Sequence, residues 1–297
     1  MATDTDYAEA RRSAYGARSY AEREAKHTEV RANKADVIAA RVELGRAYLE
    51  ANPSDIVVPY ERGCASVELV EETRAARDEA AALNAGRTTD MNNVALEFPV
   101  LGHEFAADGP VIALGTEPLL LAPVVRYFGM MPILFNVFVT RAHQTEVIAH
   151  SPHQFHIDPE DTISFKLFLQ LTDVDEECGP FHALPADLSR RVFDEVDYRG
   201  VSSVEDERVD GLVGFENVFR LLGPAGTVGM ADTTRCLHFG ARPRAEGKPL
   251  REMVVYHYLL PTSLVFGAKG IDPRHFLHHL APNGDPAWDA LLGATLV

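Results

Sequence analysis

Eight residues fix more about this chain than its length or composition: Phe165-Lys166-Leu167-Phe168-Leu169-Gln170-Leu171-Thr172. Read as an extended strand, this segment places Leu167, Leu169 and Leu171 on one face and Lys166, Phe168, Gln170 and Thr172 on the other. The spacing therefore predicts a β-strand over residues 163 to 174, and a fold built on sheets. The second face is either open to water or enclosed. If it is enclosed, Lys166 and Gln170 must meet a partner or a ligand, because burying such groups unpaired is costly.

Just upstream stands Phe155-His156-Ile157-Asp158-Pro159. On an extended backbone His156 and Asp158 point to the same side, so one metal ion can be reached by both. Two imidazoles and one carboxylate on one face of an octahedral Fe(II) leave the opposite face open to a chelating cosubstrate and dioxygen. The missing ligand must then be a distant histidine. His238, in Cys236-Leu237-His238-Phe239-Gly240, is the candidate. With 12 histidines in the chain, a His-x-Asp triplet is weak alone, and the strand that follows it gives it weight.

The 297 residues carry 44 acidic against 28 basic side chains, a formal charge of -16, which argues against nucleic acid and anionic membranes as partners. The three cysteines, Cys64, Cys178 and Cys236, have no metal-type spacing and suit a reducing compartment, so a cytoplasmic location is expected. The N-terminus lacks an apolar signal core, and no window has the apolar length of a membrane span.

Along the chain, residues 6 to 50 and 66 to 84 have helical character, giving a helical N-terminal region over residues 1 to 90 that packs on the core. From residue 91 to 297 the composition turns toward Val, Leu, Phe, Pro and Gly. Strands are expected at 133 to 140, 163 to 174, 226 to 230 and 253 to 261, with a helix at 117 to 128. Residues 187 to 219 are polar, without clear periodicity, and read as a long insert or lid. Short strands around two separated ligand segments fit a mainly β chain with a jelly-roll barrel of the cupin type.

Other residues have plainer readings. His150 and His153 precede the His-x-Asp segment, and His153 is carried as a substrate-side candidate against a loop role. His275, His278 and His279 read as a surface C-terminal segment rather than a metal clasp, Cys236 as a small packed residue, and Trp288 as an anchor for the C-terminal segment.

His156-Ile157-Asp158, the run Leu171-Thr172-Asp173-Val174-Asp175-Glu176-Glu177-Cys178-Gly179-Pro180-Phe181, Leu184-Pro185, Asp232-Thr233 and His238-Phe239-Gly240 with Pro243 together resemble the phytanoyl-CoA dioxygenase-like family. The resemblance is clearest over residues 123 to 260. It implies a double-stranded β-helix and an Fe(II)- and 2-oxoglutarate-dependent oxygenase that uses O2 on an unactivated carbon of a small molecule, free or carrier-bound, with release of succinate and CO2. It also implies that His156, Asp158 and His238 ligate the iron, and that a basic residue after His238 binds the far carboxylate of 2-oxoglutarate. Arg251 is the choice, since a guanidinium can hold a carboxylate through two parallel bonds; Arg242 and Arg244 are alternatives, because Arg251 lies 13 residues past His238. By strand parity Lys166 and Thr172 join the cosubstrate pocket and Gln170 the substrate pocket. No catalytic residue beyond the metal ligands is expected. The chain departs from the family at Cys178-Gly179-Pro180, where an Asn-Gly-Pro turn is usual. Related halogenases carry a small residue at the carboxylate position, so Asp158 implies oxygen insertion or hydrogen abstraction. A jelly-roll metal protein that does not use 2-oxoglutarate is the alternative.

Overall fold

The computed structural model describes residues 20–53, 63–64, 67–83, 96–142, 153–158, 161–199, 203–240, 242, 251–267 and 271–296. His150, Pro159, Pro243 and Arg244 fall outside them. Nine strands form two antiparallel sheets among the described residues. The larger contains β1 (Gly63–Cys64), β2 (Leu96–Leu101), β3 (Ile133–Ala142), β4 (Ser164–Gln170), β7 (Thr227–Ala231) and β9 (Glu252–Leu259), in the order β1-β7-β4-β9-β3-β2. The smaller contains β5 (His182–Ala183), β6 (Phe219–Arg220) and β8 (His238–Phe239), in the order β6-β5-β8. From β4 onward the chain passes back and forth between the two sheets, and an isolated bridge pairs His156 with His238 at the edge of the smaller one.

The alternation read in β4 is what separates two cores. Leu167 and Leu169 join Val137, Val139, Val254, Tyr256 and Phe165 on the outer face of the large sheet, beneath helices α2 (Ala35–Ala51), α3 (Val67–Leu83), α4 (Pro110–Thr116) and α5 (Pro118–Phe128). Phe168 faces inward with Phe138, Met253 and Val255 and meets Ala183 and Phe219 from the smaller sheet and Phe181 just before it. Phe168 and Phe181 lie 4.5 Å apart, centroid to centroid. The inner face of β4 is therefore enclosed between sheets. Each fully buried aliphatic or aromatic side chain in these layers contributes about 1.5–3 kcal/mol.

Helix α2 is bound in by one buried side chain. Arg41 Nε donates to the Leu296 carbonyl, Nη1 to Met131 and Pro132, and Nη2 to Ala290 and Thr295. All of its donor positions thus meet backbone oxygens of the 131–132 turn and the C-terminal segment. One turn later Gly45 lets the helix backbone approach that turn, where a Cβ would stand 2.8 Å from Met131 N. Trp288, in α9 (Pro286–Leu291), donates its indole N–H to the Ala281 carbonyl and packs at the edge of the outer core, as an anchor would.

Residues 187 to 219 require a correction. They contain α6 (Ala186–Val196) and α7 (Asp206–Val213), and α6 is amphipathic: Val192 and Phe193 are buried, with Leu188 and Val196 beside them. The many charges on its outer side mask that stripe in the sequence. Nor is the segment only a cover, since its apolar side packs with Phe155, Ile157, Leu237 and Phe239 behind the smaller sheet. Helix α4, in a segment read without a helix, starts at Pro110 and is buried through Val111, Ile112 and Leu114. Residues 273–279 are turns, not a helix that could present histidines at one face. Among the described residues no single helix is long and apolar enough to cross a membrane.

Candidate metal centre

Parity builds the site. Phe155 and Ile157 face the α6–α7 cluster, which turns His156 and Asp158 the other way; Leu237 and Phe239 do the same for His238. The His156–His238 bridge, with backbone N–O distances of 3.0 and 2.9 Å, sets the two imidazoles side by side at 4.4 Å between centroids. Ligand atoms of His156, Asp158 and His238 all lie within 4.8 Å of one another, and no other such group of three occurs among the described residues. The segment between them is pinned from the insert: the Ile157 amide donates to Tyr198 Oη at 3.1 Å, and the Leu237 amide to Ser189 Oγ at 2.9 Å.

The hydrogen bonds also select the ligand nitrogen. His156 Nδ1 lies 2.9 Å from the Gln154 carbonyl, and His238 Nδ1 lies 3.0 Å from the Cys236 carbonyl. A carbonyl only accepts, so each Nδ1 carries the proton and each Nε2 presents its lone pair. Burial, and then the neighbouring His156, push His238 down to about 3, which keeps the ring in the neutral form that binds metal. Asp158, with its side chain 13% exposed, accepts a bond from Lys166 Nζ to Oδ2 at 2.5 Å and lies 3.8 Å from His238 Nε2. Two neutral imidazoles and a carboxylate, all held from behind, fit a divalent metal such as Fe(II).

The turn that leads from β7 to His238 is fixed by Asp232. Its Oδ2 accepts from Tyr127 Oη at 2.6 Å, and its Oδ1 from the Thr234 amide and hydroxyl at 3.0 and 2.7 Å. Burial raises this carboxyl to about 6 in spite of those bonds.

Arg251 enters the interior just before β9 and is 3% exposed. Its Nη1 lies 3.4 Å from Met253 Sδ, Nε has no hydrogen-bond partner, and no carboxylate among the described residues pairs with it. Burial alone pushes it down to about 10. Its neighbour Glu252 is committed to Arg77 and Arg141. The guanidinium rests against Gly240, two residues past His238, where a Cβ would come to 3.1 Å of Nη2. Arg242, the alternative, is already used: it grips Asp206 with both Nη atoms at 2.6 and 3.0 Å, donates Nε to the His153 carbonyl, and covers the Phe239 ring at 3.5 Å.

The other expected residues are dispersed around this centre. Thr172 Oγ1 accepts from the Glu252 amide at 3.2 Å, beside Arg251. Gln170 is buried, donates to the Leu221 carbonyl at 2.9 Å, and leaves Oε1 without a partner. His153 is fully buried rather than on an exposed loop. Helix α1 (Tyr20–Asn33) lies inside the region read as helical, but sequence reasoning missed its buried contacts: His27 reaches Thr162 and Thr262 Oγ1 at 2.9 and 3.1 Å, and Arg23 donates to the Asp161 carbonyl. This helix thus ties the segment just after Asp158 to the end of β9. Its mixed charge pattern gave no sign of those contacts.

No protein-family model matches the chain, and no curated protein matches it. Solved structures similar to it include the non-heme alpha ketoglutarate dependent carbocyclase SnoK from nogalamycin biosynthesis, with TM-score 0.48 and 15% identity over 67% of this chain and 79% of that one. Also similar are HygX from Streptomyces hygroscopicus with nickel and 2-oxoglutarate bound (TM-score 0.47, 16% identity, 68% and 83% covered) and EctD from S. alaskensis with bound Fe (TM-score 0.47, 16% identity, 68% and 72% covered).

Proposed function

We propose that this chain is an Fe(II)- and 2-oxoglutarate-dependent dioxygenase of the phytanoyl-CoA dioxygenase-like kind, on a double-stranded β-helix of residues 91 to 297 with the helical region 1 to 90 packed against it. One arrangement carries the reading: three metal-ligand side chains converge within 4.8 Å, and a buried arginine without a counter-charge among the described residues enters the same interior behind Gly240. An unpaired buried cation is expensive to keep, and a dicarboxylate cosubstrate would offset that cost.

In this reading His156 and His238, through Nε2, and Asp158 hold the iron. Arg251 holds the far carboxylate of 2-oxoglutarate, and Thr172 keeps the start of β9 in place beside it. The bond of Arg242 to Asp206 favours Arg251 over it as the anchor. When bound, iron, 2-oxoglutarate and O2 supply an oxidant able to attack an unactivated C–H bond, with succinate and CO2 as coproducts. The chain's own part is to orient a small-molecule substrate and to keep water out, which the packing of Phe168 and Phe181 beside His238 serves. Hydroxylation is the default outcome. The side chains of Cys178 and Cys236 are buried and fit a reducing, cytoplasmic setting.

The test is coproduct formation. Fe(II)-loaded protein supplied with 2-oxoglutarate and air should release succinate slowly even without substrate, and Asp158→Ala should not. Succinate release equal in wild type and Asp158→Ala, or absent from both, would instead favour a jelly-roll metal protein without 2-oxoglutarate chemistry.

A further inference from the structure

The interior holds a second cation that the cosubstrate does not account for. Lys166 stands on the inner face of β4, its ammonium 2.5 Å from Asp158 Oδ2. In the strand register Lys166 lies opposite His257 and Gln170 opposite Met253. Arg251 is six residues before His257, on the order of 20 Å of extended chain. The polar row also does not stop at Lys166. It continues away from Arg251 to Ser164, whose hydroxyl lies 2.8 Å from His257 Nε2, both side chains being buried.

The charges around the centre decide what this row is for. Asp161 faces Arg23 and His27, and Asp232 faces Arg235, so those acids have basic neighbours of their own. Among the described residues, Asp158, Lys166 and Arg251 remain. Resting on the oxygenase reading, a metal dication and a dianionic cosubstrate cancel each other, Asp158 balances one of the two cationic side chains, and the other is left over. Asp158 is also the carboxylate that the metal draws on. An ammonium kept in a mostly buried position beside a metal needs another anion.

We infer that the substrate is an anion, carrying a carboxylate or phosphate group that Lys166 receives on the side of the metal away from Arg251, with Ser164 and His257 as the polar wall of that subsite.

Inorganic phosphate is the probe. Full-length protein loaded with Mn(II) and 2-oxoglutarate is titrated with phosphate while the relaxation of its phosphorus signal is followed, because the paramagnetic metal marks only phosphate bound close by. Wild type should give a saturable enhancement. Lys166→Arg should keep it within a few-fold, and Lys166→Met and Lys166→Gln should weaken it by about tenfold or more, the size expected for losing one charge-assisted contact. Binding of 2-oxoglutarate, read in parallel from the visible band of the Fe(II) complex without oxygen, should persist in all four proteins. Enhancement equal in wild type and both neutral variants would mean an adventitious ion only, and no enhancement in wild type would mean no second anion site; either overturns the inference. So does a pattern in which the neutral variants lose 2-oxoglutarate instead, which makes Lys166 a cosubstrate residue. Failure of wild type itself to bind 2-oxoglutarate would sink the oxygenase reading and this inference with it.

Discussion

Replacing Arg251 by methionine should move stability and cosubstrate affinity in opposite directions. The guanidinium is 3% exposed, has no carboxylate partner among the described residues, and is pushed down to about 10 by burial alone. At 1.36 kcal/mol per unit, that shift corresponds to a cost on the order of 3 kcal/mol for holding the charge inside. The sign follows from linkage: a base with a lowered folded-state pKa destabilises at every pH below that value, so the cost is present throughout the working range. Methionine occupies similar length beside Met253 without the charge. Protein without 2-oxoglutarate should therefore melt no lower than wild type, and by about 2–4 °C higher for each kcal/mol recovered. In wild type, 2-oxoglutarate at about 100 times its Kd should add roughly 2.7 kcal/mol. In Arg251→Met that increment should fall below about 1 kcal/mol at the same concentration, because losing a buried charged contact costs about 2–5 kcal/mol, or some 30-fold or more in Kd. Thermal melts of both proteins, with and without the cosubstrate, give the four numbers. A variant that melts several degrees lower than wild type and still responds to 2-oxoglutarate would refute the reasoning.

Three further outcomes follow from other parts of the molecule. Gly240→Ala places a methyl 3.1 Å from Arg251 Nη2 and should weaken 2-oxoglutarate several-fold with little change in metal affinity, measured by calorimetry. Arg41→Met removes donors to five backbone carbonyls and should cost at least about 4 kcal/mol in denaturant unfolding, with Arg41→Lys recovering only part because it has fewer donors in a different shape. Asp232, raised from 3.8 to about 6, adds stability that is fully present below pH 3.8 and lost as pH rises through 6; urea unfolding at pH 4.5 and 7 should show this component in wild type and not in Asp232→Asn.

Much of the site could be read from residues alone because strand parity is a local rule. The positions of His156 and Asp158, and the split of β4 into a leucine face and a Lys166–Phe168–Gln170 face, depend only on neighbours two residues apart. What parity could not decide was whether the second face is wet; that depended on Ala183 and Phe219 of a different sheet and on Phe181 just before it. Strands β5, β6 and β8 are two residues long, too short to show any period. Arg251 could be chosen from the sequence, but the engagement of its alternative Arg242 by Asp206 could not, being a contact across 36 residues. Helix α1 shows the same limit from the other end of the chain. Its Arg23 and His27 look like members of a solvated charge pattern, yet they bond to groups more than 130 residues away.

The most direct test is the absorption of metal-free protein given Fe(II) and then 2-oxoglutarate without oxygen, with Arg251→Met alongside. A visible charge-transfer band that appears only when both are present, and that needs a much higher 2-oxoglutarate concentration in the variant, is the expected result. Iron that binds while no band forms at any cosubstrate concentration would contradict the assignment of His156, Asp158, His238 and Arg251 to one oxygenase centre.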